Sequence, residues 1–178
     1  METSVKLNIG CGNKRREGFV GIDKYPCAAA DIVCDITTGI PCGDDTVDEV
    51  IMDNVIEHIL DIPAVMREVH RVCKHGAKVT IITPHFSSLT SWRDPTHIHH
   101  LSYFSFDHFA KENTRHYMGC QFEVVNRRLS FVGGPGGLIG RFIFWLSPRK
   151  YEQNYCFIFR ASTLTFGLRA VKNAPQAG

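Results

Sequence analysis

An α/β fold with a mostly parallel sheet is what this 178-residue sequence predicts, on three observations. Strand-length apolar runs alternate with a helix-period segment, the pattern of βαβ units. The first run, Val5 to Ile9, enters a glycine pair, Gly10 and Gly12; the second, Phe19 to Ile22, ends on the carboxylate of Asp23. A later run, Val47 to Met52, ends on Asp53 and Asn54, and open parallel sheets bind their ligands outside such strand ends.

The glycine pair lets the chain turn sharply and lets its backbone approach a ligand that a Cβ would hold off. An acid at the end of the next strand can accept hydrogen bonds from two ribose hydroxyls, which points to an adenosine derivative. A dinucleotide site would want G-x-G-x-x-G opening a helix that faces a pyrophosphate. Here Gly12 is followed by Asn13 to Glu17, with the next glycine only at Gly18, and no Walker-type phosphate loop is present. A ligand without phosphates fits better, and S-adenosylmethionine (SAM) is the common one.

The spaced set LNIGCG, GID and CDI resembles the front half of a class I SAM-dependent methyltransferase. The resemblance implies a Rossmann-like, mostly parallel seven-stranded sheet with an antiparallel last strand. It implies SAM as cofactor, with Asn8, Gly10, Cys11, Gly12, Asp23, Asp35, Ile36 and Asn54 as the cofactor-binding set. Asp23 would hold the ribose, Asp35 and Ile36 the adenine, and Asn54 would lie near the sulfonium methyl; Cys11 reads as a small apolar filler of the turn.

The remaining elements follow in order. Asp31 to Cys34 reads as a brief third strand, and Gly39, Pro41, Gly43 and Asp44 as a turn-rich loop. Glu57 and His58 lie in VIEHI, similar to the VLEH string of many small-molecule methyltransferases; His58 is either a general base or a tie between loop and sheet. Asp61 to Val72 is the clearest helix, with an apolar stripe at Ile62, Val65, Met66, Val69 and Val72, Asp61 as cap and His75-Gly76 as stop. Lys78 to Thr83 is a fifth strand. Between Gly12 and Phe19 there is room for only about one and a half helical turns, so the first crossover helix is shortened or absent.

Something else must cover the cofactor, and residues 85–116, rich in His and aromatic side chains, leave the fifth strand on the same rim. A short helix is expected there from Ser105 or Asp107 through Asn113. Asp94-Pro95-Thr96-His97 looks like a DPTH string that in some of these enzymes lies over the acceptor pocket. His58, His97 and His85 are the candidates for acid/base catalysis. A metal bound by His97, His99 and Asp94 is the competing reading, and packing within the loop accounts for the other histidines; no metal is expected.

Phe122 to Ser130 and Leu164 to Val171 are the sixth and seventh strands. Between them, residues 131–160 form an apolar insertion whose Leu138 to Leu146 segment is helix-length, suited to the core, to a homodimer face, or to docking on a membrane or lipid-like acceptor. A single domain over 1–172 with a loose tail at 173–178 follows.

Composition narrows the function. The net charge of +2 argues against a nucleic-acid surface, and no N-P-P-Y string follows the fourth strand, which argues against methylation of base amines. The basic spots Lys14 to Arg16, Arg127 with Arg128, and Arg149 with Lys150 read as solvated surface. Seven cysteines without C-x-x-C spacing, no secretory signal and no membrane-length apolar run point to a cytoplasmic protein with reduced thiols. The expected function is SAM-dependent methylation of a small molecule or an envelope intermediate. The alternative is a SAM-binding module without catalysis, a sensor or the partner of a catalytic subunit.

Overall fold

The computed structural model describes residues 4–111 and 114–172. Seven strands, β1 (Lys6–Ile9), β2 (Val20–Asp23), β3 (Ile32–Val33), β4 (Val47–Asp53), β5 (Cys73–Pro84), β6 (Phe122–Phe131) and β7 (Ala161–Ala170), form one sheet in the order β3-β2-β1-β4-β5-β7-β6. β1 to β5 pair in parallel, and β7 runs antiparallel to both β5 and β6. The expected seven-stranded α/β sheet with an antiparallel last strand is the one found. Strand order reverses at β1, whose carboxyl end therefore opens into the crevice beside β2 and β4.

Between β1 and β2 no helix forms; residues 10–19 are turns. Three cations fasten this loop to carboxylates: Lys14 and Arg16 reach Asp53 Oδ2 at 3.3 and 3.2 Å, and Arg15 reaches Asp31 at 3.1 Å. Lys14 and Arg15 are exposed, as the surface reading expects, and together with Arg16 they tie the loop that replaces the crossover helix to these acids. Arg127 is likewise engaged, paired with Asp107 at 2.7 Å and lying over the rings of Tyr103 and Phe104.

The helix α1 (Ile62–Val72) has Asp61 as its N-cap, its Oδ1 accepting from Ala64 N at 2.8 Å, and buries Val65, Met66, Val69 and Val72. Its stop is not His75-Gly76. The chain turns directly into β5 at Cys73, and Gly76, at φ +80°, sits inside that strand where its register against β4 shifts between Val47 and Glu49. After β5 come α2 (Leu89–Arg93), α3 (Asp107–Ala110) and α4 (Arg115–Met118). The helix expected through Asn113 ends at Ala110, with Lys111 extended; Asn113 and the tail 173–178 lie outside the described residues.

The insertion holds α5 (Pro135–Leu146), α6 (Pro148–Lys150) and a wide turn at Tyr151–Tyr155. The core reading of this segment holds only for Ile143 and Phe144, which pack against the core. Gly137 and Gly140 are its buried residues, while Leu138, Ile139, Phe142, Trp145 and Leu146 are exposed. A Cβ on Gly137 would fall 1.8 Å from Val132 O, and one on Gly140 2.9 Å from Phe159 O. Glycine lets the helix lie close to the chain beneath it, with the half-buried Ile143 and Phe144 packed on the same side and the other large side chains outside. No helix among the described residues is long and apolar enough to cross a membrane.

Candidate active site

The turn after β1 is built on positive φ, +66° at Gly10 and +51° at Gly12. A Cβ on Gly10 would stand 2.2 Å from Val55 Cγ2, so the space that glycine leaves is filled by Val55 from the β4 side. The turn then reaches the acid. Asp23 Oδ2 accepts from Gly12 N at 2.8 Å and Oδ1 from Tyr25 N at 3.0 Å. A carboxylate has about four acceptor positions, so two remain for outside donors.

Beside this acid lies a cavity of about 460 Å³, in the range of small-molecule sites. Gly10, Asp23, Asp35, Ile36 and Asn54 line it, together with Tyr25, Val55, His58, Ile59 and Thr96. Asp35 is paired with Lys24 at 2.9 Å and accepts from Thr37 N and Oγ1; Lys24 first, then Thr37, hold its carboxyl down at about 2. The other three residues expected to bind cofactor stand behind the wall. Asn8 is buried and donates to Lys14 O at 2.9 Å, Gly12 acts through Asp23, and the Cys11 thiol is pushed up to about 11, by burial first and by Cys27 next. Tyr25, Val55 and Ile59 were not singled out from sequence, because nothing local marks a side chain as cavity wall.

A second cavity, of about 650 Å³, is lined by Asn54, His58, Pro84, Thr90, Arg93, Asp94, Pro95, His97 and Thr163. Asn54 and His58 face both cavities. Asn54 holds this position at φ +57°, its N–H donating to Ile82 O at 2.9 Å and its side chain to Asp53 at 3.0 Å. Asn tolerates the left-handed region better than most residues, which suits it to a sharp exit from the strand.

His97 and His58 meet edge to face with ring centroids 4.6 Å apart. His97 Nδ1 lies 3.1 Å from Ser91 O, and a carbonyl only accepts, so this nitrogen carries the proton. In the neutral ring the Nε2 lone pair then faces Asp94 Oδ2 at 3.9 Å and Glu57 Oε1 at 4.0 Å. Glu57 is 1% exposed; its Oε2 accepts from Thr83 Oγ1 at 3.0 Å, while Oε1 has no partner. Burial raises its pKa above the ordinary carboxylate value. His58 Nδ1 lies 3.0 Å from Thr96 Oγ1 and 3.2 Å from Thr96 O, which ties the DPTH loop to β4's exit. Sequence reading quoted Glu57 without a role; its place beside His58 in VIEHI was the available signal.

Other histidines do structural work. His85 is fully buried, takes Ser87 N onto Nδ1 at 3.1 Å and reaches Glu152 Oε1 from Nε2 at 2.9 Å. Both of its nitrogens are occupied and it lines neither cavity, so as a catalytic candidate it is corrected to a tie between β5 and the insertion. His99 turns to Leu60 O at 3.3 Å, away from His97, and His100 stacks on Trp92 at 3.6 Å. The cation-sized grouping among the described residues is instead Glu57, His58 and His97, with donor atoms within 4.8 Å of one another; Cys11, Asp23 and Cys27 form the other.

Residues 7–81 match the family described as the methyltransferase domain. No curated protein matches the sequence. Among solved structures, a SAM-dependent methyltransferase from Archaeoglobus fulgidus aligns with a TM-score of 0.61 at 15% identity over 94% of this chain and 86% of its own. The [4+2]-cyclase SpnF aligns at 0.59 and 14% identity, covering 97% and 78%. Phosphoethanolamine N-methyltransferase 2 of Haemonchus contortus, solved with SAM, aligns at 0.54 and 14%, covering 97% and 50%. At these identities the likeness is one of fold. The family match covers residues 7–81, less than half of the chain, and the sheet order is that of the methyltransferase fold these structures share, so the chain has a Rossmann-like, class I methyltransferase-type fold with a stretch similar to the methyltransferase domain.

Proposed function

We propose that this protein transfers the methyl group of SAM to an acceptor held in the second cavity. The observation that carries the reading is the sharing of Asn54 and His58 by the two cavities. A donor on one side and an acceptor on the other would meet there, and fixing that geometry is the largest part of what such an enzyme must supply. Gly10, Asp23, Asp35, Ile36 and Asn54 would hold the cofactor, and the two unused acceptor positions of Asp23 fit a ribose diol. Bound SAM supplies an electrophilic methyl on a sulfonium whose thioether is a good leaving group.

His97 would serve as general base for an oxygen or nitrogen acceptor. Its Nε2 lone pair faces the second cavity's wall, and a proton taken there would be stabilised by Asp94 and Glu57, 3.9 and 4.0 Å away. His58 is the second candidate, and its Thr96 contacts also give it a positioning role. A small molecule or an envelope intermediate suits the size of the cavity. The test is transfer of label from methyl-labelled SAM into extract fractions. Incorporation that depends on the protein supports the reading; binding of S-adenosylhomocysteine without incorporation into any fraction would leave a SAM-binding module.

A further inference from the structure

We propose that the exposed face of α5, with the turn that follows it, docks the protein on an anionic lipid bilayer. The larger apolar face of the helix is the outward one. Glycines at 137 and 140, held against Val132 O, Phe131 and Phe159 O, occupy the packed face with the half-buried Ile143 and Phe144, while Leu138, Ile139, Phe142, Trp145 and Leu146 recur at helical spacing on the face turned outward. Trp145 is 75% exposed and Phe142 stacks beside it at 6.1 Å. Phe157 and Ile158, at 65% and 70% exposed, add to the same insertion. Soluble monomers rarely leave so many large apolar side chains together, and Trp and Phe are suited to the boundary between headgroups and acyl chains.

Charge selects the occupant. Within residues 131–160 the exposed ionised groups are Arg141, Arg149, Lys150 and Arg160, all cationic. The segment's one acid, Glu152, is turned inward, where Oε1 accepts from His85 Nε2 and from Tyr103 N at 2.6 Å. An apolar face among cations, with its carboxylate withdrawn, complements a surface of acyl chains and phosphates; a copy of itself would set like charges against each other. The face also continues toward the second cavity. Phe157 packs on Phe86 at 5.6 Å, Phe86 O accepts from Trp92 Nε1 at 2.7 Å, and α2, which carries the exposed Leu89 and Trp92, contributes Thr90 and Arg93 to that cavity. A bilayer seated on α5 would therefore lie along the cavity's rim.

The test is co-sedimentation of the full chain with vesicles of phosphatidylcholine alone or mixed equally with phosphatidylglycerol. Phe142→Ser/Trp145→Ser and Arg149→Glu/Lys150→Glu are compared with wild type, and thermal unfolding serves as the control for folding. Wild type should pellet with the mixed vesicles, less with phosphatidylcholine, and less again as salt is raised. Each double variant should partition at least about tenfold more weakly while unfolding at the wild-type temperature, since the altered side chains are exposed. Wild type left in the supernatant with mixed vesicles overturns the proposal, as does partitioning that neither pair of substitutions changes. So does a homodimer that Phe142→Ser/Trp145→Ser dissolves while vesicles collect no protein. None of these readings requires cofactor binding, so this proposal and the methyl-transfer reading fail separately.

Discussion

The backbone N–H of Gly12 donates to Asp23 Oδ2 at 2.8 Å, which makes the glycine turn and the acid a single unit. The turn aims the carboxylate, and the carboxylate satisfies a backbone donor that the turn leaves free. This explains how the chain dispenses with the first crossover helix: salt bridges from Lys14, Arg15 and Arg16 and this hydrogen bond hold the loop in its place.

Gly10→Ala should lower stability by about 2–4 kcal/mol, combining a left-handed φ with a clash at Val55. The clash is removable and the φ is not. In a urea-unfolding double-mutant cycle, Val55→Ala should therefore couple favourably with Gly10→Ala by at least about 1 kcal/mol. Additive effects would mean that Val55 does not fill the space beside Gly10.

The main features of this region were legible in the sequence because each is local. A positive-φ turn selects glycine, and Asp23, Asp35 and Asn54 fall at strand ends by simple counting. α1 announced itself by its stripe and by Asp61. Where local signals admit two outcomes, the sequence misled. Gly76 has the φ of a helix stop but serves as a bend within β5. The period of residues 138–146 identified a helix without telling which face is buried; Gly137 and Gly140 were the signal, and they were masked by the larger neighbours. Glu57 carries no local mark of its surroundings because its burial, its bond to Thr83 and the nearness of its unpaired Oε1 to His97 arise only when residues from other elements gather.

His97→Ala and His85→Ala should fail in different ways. Once an acceptor fraction is found, His97→Ala should lower kcat by about 10²–10⁴ while S-adenosylhomocysteine affinity stays within about twofold. His85→Ala removes one of the two donors to Glu152 Oε1 and the partner of Ser87 N, and should instead cost about 1–3 kcal/mol in unfolding experiments. A His97 variant with wild-type turnover would remove that residue from the proposed role.

Glu57 gives a pH dependence of defined sign. Burial raises its folded-state pKa above 4.5, so the folded chain binds more proton than the unfolded chain across that window. Stability is therefore lost as pH rises through the window, and the cost of holding the ionised group persists above it. Glu57→Gln removes the titration, so its stability relative to wild type should increase as pH rises above the ordinary carboxylate range. Urea unfolding at several pH values measures this. A difference that stays constant, or that shrinks with rising pH, would show that Glu57 is not ionised at a cost.

Isothermal titration of S-adenosylhomocysteine into wild type and Asp23→Ala tests the assignment of the 460 Å³ cavity most directly. One molecule should bind per chain, and the substitution should weaken binding at least about tenfold, the scale of lost charge-assisted hydrogen bonds. No heat of binding to the wild type, or equal affinity in the two proteins, would contradict the account.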